Sequence, residues 1–110
     1  MNIEEVRDYC LQKEDVSEGL PFGEDTLVFK VSGKMFALLS LRGDQRINLK
    51  CEPEKALELR EHHTYVIPGY HMNKQHWNTV YIEEASREEL MEWIDHSYEL
   101  IKASLSKKKK

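Results

Sequence analysis

The sequence predicts an α+β fold, a two-layer α/β sandwich in which helices cover one face of a mainly antiparallel sheet. Three observations lead there. Segments of helical periodicity stand at both ends of the chain and once in its middle, the outer two each opened by a capping signal. Between them lie short stretches in which apolar and polar residues alternate. The turns joining the first three stretches are too short for a crossover, so those neighbours pair antiparallel. The predicted order is α-β-β-β-α-β-β-α, with one sheet face left without helices. A chain of 110 residues is expected to form one domain, here over residues 1–106, followed by a basic tail at Lys107–Lys110.

Asn2 caps the first helix, and Glu5 three residues later completes a capping box. Ile3, Val6 and Cys10 then recur at helical spacing, and the helix is expected to end near Lys13. Residues 14–25 read as a loop, punctuated by Gly19, Pro21 and Gly23. Thr26–Val31 and Met35–Leu41 form a hairpin across Ser32-Gly33. A third strand, Gln45–Cys51, alternates Ile47 and Leu49 with Arg46, Asn48 and Lys50. Pro53 opens the second helix, which fades at His62-His63. Tyr65–Ile67 is extended, and Pro68-Gly69 suits a type II turn with Gly at positive φ. Asn73–His76 reads as a turn or one helical turn capped by Asn73, and Trp77–Ile82 as the last strand. Ser86 with Glu89 forms a second capping box. It opens the longest helix, whose core stripe runs from Leu90 through Trp93, Ile94, Ser97 and Tyr98 to Ile101 and Leu105.

Composition narrows the function classes. No apolar run approaches the roughly 18 residues of a membrane span. The N-terminal stretch has no secretory h-region, and the expected location is the cytoplasm. Cys10 and Cys51 are too few for a disulfide scaffold and form no CxxC, so both are expected as reduced packing residues. No GxxxxGK[ST], GxGxxG or HExxH pattern and no finger-type Cys/His spacing is present. The residues therefore assign no catalytic set, no metal and no cofactor, and the protein is expected not to be an enzyme.

Net charge is −4, from 16 Lys and Arg against 20 Asp and Glu. Its distribution matters more. Without the four terminal lysines, 12 basic residues stand against 20 acidic ones, yet Thr26 to Lys50 carries five cations and only Asp44. Val66–Ile82, which reads VIPGYHMNKQHWNTVYI, holds no acidic residue at all. If Leu27, Phe29, Val31, Ile47, Leu49, Val80 and Ile82 face the helices, the open face receives Lys30, Arg46, Asn48, Lys50, Trp77, Thr79 and Tyr81. Tyr70 to His76 would project from its edge as a wing.

Cations neutralise phosphates, amides bond base edges and aromatic rings stack on bases, so this face reads as a DNA-binding surface. Lys30, Arg46, Lys50 and Lys74 are the expected phosphate contacts. Asn48, Asn73, His76 and Trp77 are the expected contacts to bases or sugars. The lysine tail would add a nonspecific electrostatic arm. The same aromatic wing suits a protein- or small-ligand-binding adaptor, which a concave pocket beside Trp77 and Tyr70 would favour. A metal or enzymatic centre on His71 and His76, joined by His62 or His63, requires the imidazoles to converge.

In this order PFGEDTLVFKV, KMFALLSL, RINLKCEPEKALELR, VIPGYHMNKQHWNTVYI and IDHSYELI resemble the MmcQ/YjbR family over nearly the whole chain. GYHMNKxHWNTV is the most specific part. The resemblance implies a CyaY-like fold, in agreement with the element order above, and a DNA-binding protein of double-wing type. It brings no catalytic residues. Glu4, Glu5 and Asp8 are too sparse for the iron-binding acidic helix of frataxin-like proteins, which share the broad fold.

Overall fold

The computed structural model describes residues 1–108, with side chains through Leu105. Its elements are α1 (Ile3–Leu11), β1 (Val16–Gly19), β2 (Thr26–Val31), β3 (Lys34–Ser40), β4 (Arg46–Lys50), α2 (Pro53–His62), β5 (Val66–Pro68), β6 (Trp77–Tyr81) and α3 (Arg87–Lys108). The six strands form one antiparallel sheet in the order β1-β2-β3-β4-β6-β5. The α+β class and the two-layer architecture are as the sequence predicts. The tail at Lys107–Lys110 begins inside α3, and its last two residues lie outside the described ones.

One element departs from expectation. The order is α-β-β-β-β-α-β-β-α, because β1 occupies part of the segment read as a loop. Its sequence, VSEG, has a single β-branched residue and no usable alternation. Partners hold it instead. Its four residues pair from Val16↔Val31 to Gly19↔Val28. Asp15, at φ 60, turns its carbonyl to accept from the Ser32 amide at 3.0 Å. Arg7 on α1 grips both Glu18 oxygens, at 2.7 and 2.5 Å.

Both capping boxes form. The Asn2 side chain accepts from the Glu5 amide at 2.8 Å and Glu5 accepts in return from the Asn2 amide. Ser86 and Glu89 repeat the exchange at the start of α3. Glu89 also takes the Tyr65 hydroxyl at 2.8 Å, tying that helix end to the chain entering β5.

The helices cover one face. Phe29, Leu39, Ile47 and Val80 from the strands meet Val6 and Cys10 of α1 and Leu90, Ile94 and Ile101 of α3, all essentially solvent-free. A β-bulge lets consecutive residues Phe36 and Ala37 both enter this core, since the register steps from Phe29↔Ala37 to Lys30↔Met35. The bulge takes Phe36 out of the ladder, and Ser97 of α3 compensates. Its hydroxyl donates to the Phe36 carbonyl at 2.5 Å and accepts from the Lys50 amide at 2.9 Å. On β6, buried Asn78 docks α2 by accepting from Arg60 Nε at 2.6 Å and donating to the Ala56 carbonyl. No helix among the described residues is long and apolar enough to cross a membrane.

Candidate functional site: the open face of the sheet

Alternation along the strands delivers a second, smaller apolar cluster to the uncovered face: Val28, Leu38 and Trp77, with Met35 and Met72 packed against them. Trp77 lies on the face the sequence predicts, but it is only 9% exposed. That corrects its expected role. A tryptophan buried within a methionine-flanked cluster is a packing group, and its ring is not offered to a base. The exposed aromatics are Phe22, at 65%, and Tyr70, at 51%.

The β5–β6 connection carries Tyr70 and is built differently from a type II turn. Gly69 is not at positive φ; the left-handed residue is His71, at φ 59. Glycine is required at position 69 by proximity. A Cβ there would lie 2.8 Å from both the Cβ and the carbonyl oxygen of Trp77, and the Gly69 amide donates to that same oxygen at 2.8 Å. Beyond it, three polar groups lock the loop to the sheet. The Tyr70 amide donates to Thr79 Oγ1 at 2.9 Å, Thr79 donates to Asn48 Oδ1 at 2.5 Å, and Asn48 Nδ2 donates to the Tyr70 carbonyl at 3.2 Å. Thr79 is fully buried and Asn48 uses both ends of its amide here, so Asn48 works as an internal clamp. Arg46 completes the arrangement, its guanidinium 4.7 Å from the centre of the Tyr70 ring.

These elements enclose a pocket of about 320 Å³. Its floor is Met35, Leu38, Ser40 and Asn48 of β3 and β4. Phe22 and Thr26 form one side, from the β1–β2 loop and the start of β2. Tyr70, His71 and Met72 form the other, and Arg46 lines it as well. Among the described residues no carboxylate lines it. Phe22, Met35 and Leu38 were not among the residues singled out from sequence. The available signals were an aromatic residue between Pro21 and Gly23, and the open-face positions of β3, which the bulge obscures.

The other expected site residues are dispersed. Lys50 stands opposite Trp77 in the β4–β6 register. Lys30 is at the far end of the face, on a separate groove with Ser17, Leu20 and Val28. Lys74 sits beside α2, where its carbonyl accepts from Arg60 Nη2 and its ammonium reaches the Gly69 carbonyl at 3.4 Å. Asn73 accepts from the Gln75 amide at 2.9 Å, the turn expected of it, and the His76 carbonyl accepts from the Cys51 amide. None of Asn73, Lys74 and His76 lines the pocket.

His71 rests on the Tyr70 ring at 4.0 Å between centroids, whereas His63 packs against Tyr65 and Trp93 beside α3. Among the described residues no three His, Cys, Asp or Glu side chains are grouped as a metal site. Both cysteines are buried and free. Burial pushes the Cys10 thiol up to about 12 and the Cys51 thiol to about 11, the opposite of an activated nucleophile.

Comparison with known proteins agrees with this fold. The YjbR family model matches residues 11–100. The Escherichia coli O157:H7 protein named "Uncharacterized protein YbdF" is 46% identical over 90 residues, covering 80% of this chain and 74% of its own. "Uncharacterized protein YjbR" of Escherichia coli K12 is 31% identical over 101 residues, covering 90% and 86%. Among solved structures, a Deinococcus radiodurans protein of the DUF419 family model superposes with a TM-score of 0.86 at 38% identity, over 91% of this chain and 78% of that one. A Pseudomonas syringae protein gives 0.80 at 33% identity, over 91% and 98%. With its matched motif spanning every strand from β2 to β6 and most of α3, the chain belongs to the YjbR family.

Proposed function

We propose that this protein is a non-catalytic binding module whose site is the open-face pocket between Phe22 and Tyr70. The observation that carries the reading is the pocket itself. It combines an apolar floor, an exposed aromatic residue on two of its sides and one guanidinium, at a volume near the lower end of the ~300–1,000 Å³ of small-ligand sites. The hydrogen-bonded Tyr70–Asn48–Thr79 clamp supports it, because a site formed before binding loses less entropy on occupation. The two buried thiols support a binding rather than a nucleophilic role, and they suit the reducing cytoplasm.

Methyl NMR of the full chain against a fragment library tests this. Ligands should shift the Met35 and Met72 methyl signals while leaving those of α3, such as Met91, in place. If no fragment moves Met35 or Met72, the pocket is not the site.

A second reading, DNA binding, draws on Lys30, Arg46 and Lys50 along the same face, with phosphate contacts only and no base stacking by Trp77. Three such contacts give a slope of about −2.7 in log affinity against log salt. A mobility-shift series in which low salt produces no complex, or in which Lys30→Ala and Lys50→Ala change nothing, ends that reading.

A further inference from the structure

Arg46 is set apart from the other four arginines. Arg7, Arg42 and Arg87 each pair with a carboxylate, on Glu18, Asp25 and Glu5. Arg60 spends its guanidinium on Asn78 and on backbone carbonyls. Among the described residues the Arg46 guanidinium has neither an ion pair nor a hydrogen bond; its contact is the Tyr70 ring, whose centre lies 4.7 Å from Cζ, and no polar partner occupies its N–H donors. It is partly buried and lines the pocket. A partly desolvated guanidinium beside an aromatic ring, its donors unpartnered, suits a planar bidentate acceptor.

Charge decides which acceptor. With His71 counted neutral, as in the formal charge at pH 7, Arg46 is the one cation among the described residues that line the pocket and no carboxylate joins it, so one negative charge is balanced there, whereas a phosphate dianion would leave about one charge uncompensated. The Ser40 and Thr26 hydroxyls, without a hydrogen bond among the described residues, add neutral donors. The remainder of the lining is apolar and adaptable: Met35, Leu38 and Met72, with Phe22 and Tyr70 at the sides. Since a cavity on the order of 150 Å³ holds benzene, about 320 Å³ takes a body of one or two rings.

From these features, and resting on the pocket reading above, we infer that the ligand is a small-molecule monocarboxylate with a flat apolar body. Its carboxylate sits on Arg46, and its body lies on Met35, Leu38 and Met72.

The test titrates the full chain with 2-naphthoate, 2-naphthamide and inorganic phosphate, read from the Met35 and Met72 methyl signals. The naphthoate should saturate and bind at least about tenfold more tightly than the amide, the worth of a charge-assisted contact. Arg46→Gln should bring the two to equal affinity, and Arg46→Lys should restore part of the difference; an unchanged thermal midpoint shows that each variant is folded. Equal binding of naphthoate and naphthamide to the unaltered chain, or a difference that survives Arg46→Gln, overturns the carboxylate assignment and leaves the pocket reading standing. So does displacement of naphthoate by millimolar phosphate. Tighter binding of Gly-Gly-Trp through its free carboxylate than of naphthoate overturns the small-molecule assignment. Silence of both methyl signals toward these probes and the fragment library alike removes the pocket reading as well.

Discussion

The two faces of the sheet are made from the same strands by the same alternation, yet they end in different states. On the covered face, α1 and α3 close over Phe29, Phe36, Leu39, Ile47 and Val80, and little space remains. On the open face Val28, Leu38 and Trp77 form a small buried apolar cluster, with two methionines beside them, and a pocket of about 320 Å³ persists. Helices bury a face continuously because their side chains interdigitate along their whole length. A loop held at a few polar points covers only what lies beneath it. The open face therefore has spare space with organised walls, and that combination makes a binding site.

The comparison predicts a gradient of sensitivity. Phe36→Ala should be the most damaging change, about 3–5 kcal/mol by urea denaturation, because it leaves a cavity under Tyr98 in the closed core. A loss below about 1 kcal/mol would mean that the covered face relaxes as freely as the open one. Gly69→Ala comes next, at about 1–3 kcal/mol, since its Cβ has no room beside the β6 backbone. It should also displace Tyr70 and weaken ligand binding, a coupling that no change under α3 should show. Thr79→Val removes the hydroxyl that joins Tyr70 to Asn48 and should cost about 1–2 kcal/mol. Its signature would be increased amide exchange confined to Tyr70–Met72. Met72→Ala should cost about 1 kcal/mol or less while lowering ligand affinity, which separates the pocket from the core most cleanly.

Acid should separate the faces too. Burial raises the Glu89 carboxyl, but the Ser86 amide, the Tyr65 hydroxyl and His63 outweigh it, and the group lies below its usual 4.5. A carboxylate lowered in the folded state stabilises at neutral pH, and that contribution is lost as pH falls below about 4.5 through the lower folded value. Urea midpoints from neutrality to about pH 3 should decline, and Glu89→Gln should flatten the decline. Glu89 does not line the open-face pocket, so the same change should leave naphthoate affinity at neutral pH untouched.

Much of this was legible along the chain. Asn2 with Glu5 and Ser86 with Glu89 are local signals, and both formed as written because a capping box needs only residues three apart. The strand faces were legible for β2, β4 and β6, whose alternation is unbroken. β1 was not, because VSEG becomes a strand only through β2, Ser32 and Arg7. The bulge at Phe36 was not, since its consequence depends on Ser97, sixty-one residues away. Gly69 was assigned to a turn by its proline neighbour, when its constraint is the distance to Trp77. Of the candidate site, Arg46, Asn48 and Tyr70 lie beside one another, as alternation and loop position suggest, whereas Lys74 goes with the loop toward α2.

By itself the sequence determined the fold class, the helix starts, the face each residue takes on β2, β4 and β6, and the family, because these depend on periodicity and on residues a few positions apart. The tertiary structure alone decided that Trp77 is buried and Tyr70 exposed, that Arg46 keeps its donors free, and that Phe22 meets the Tyr70–Met72 loop across a pocket. Burial of one side chain and freedom of another are set by which distant segment arrives beside it. No pattern along a single strand encodes that arrival.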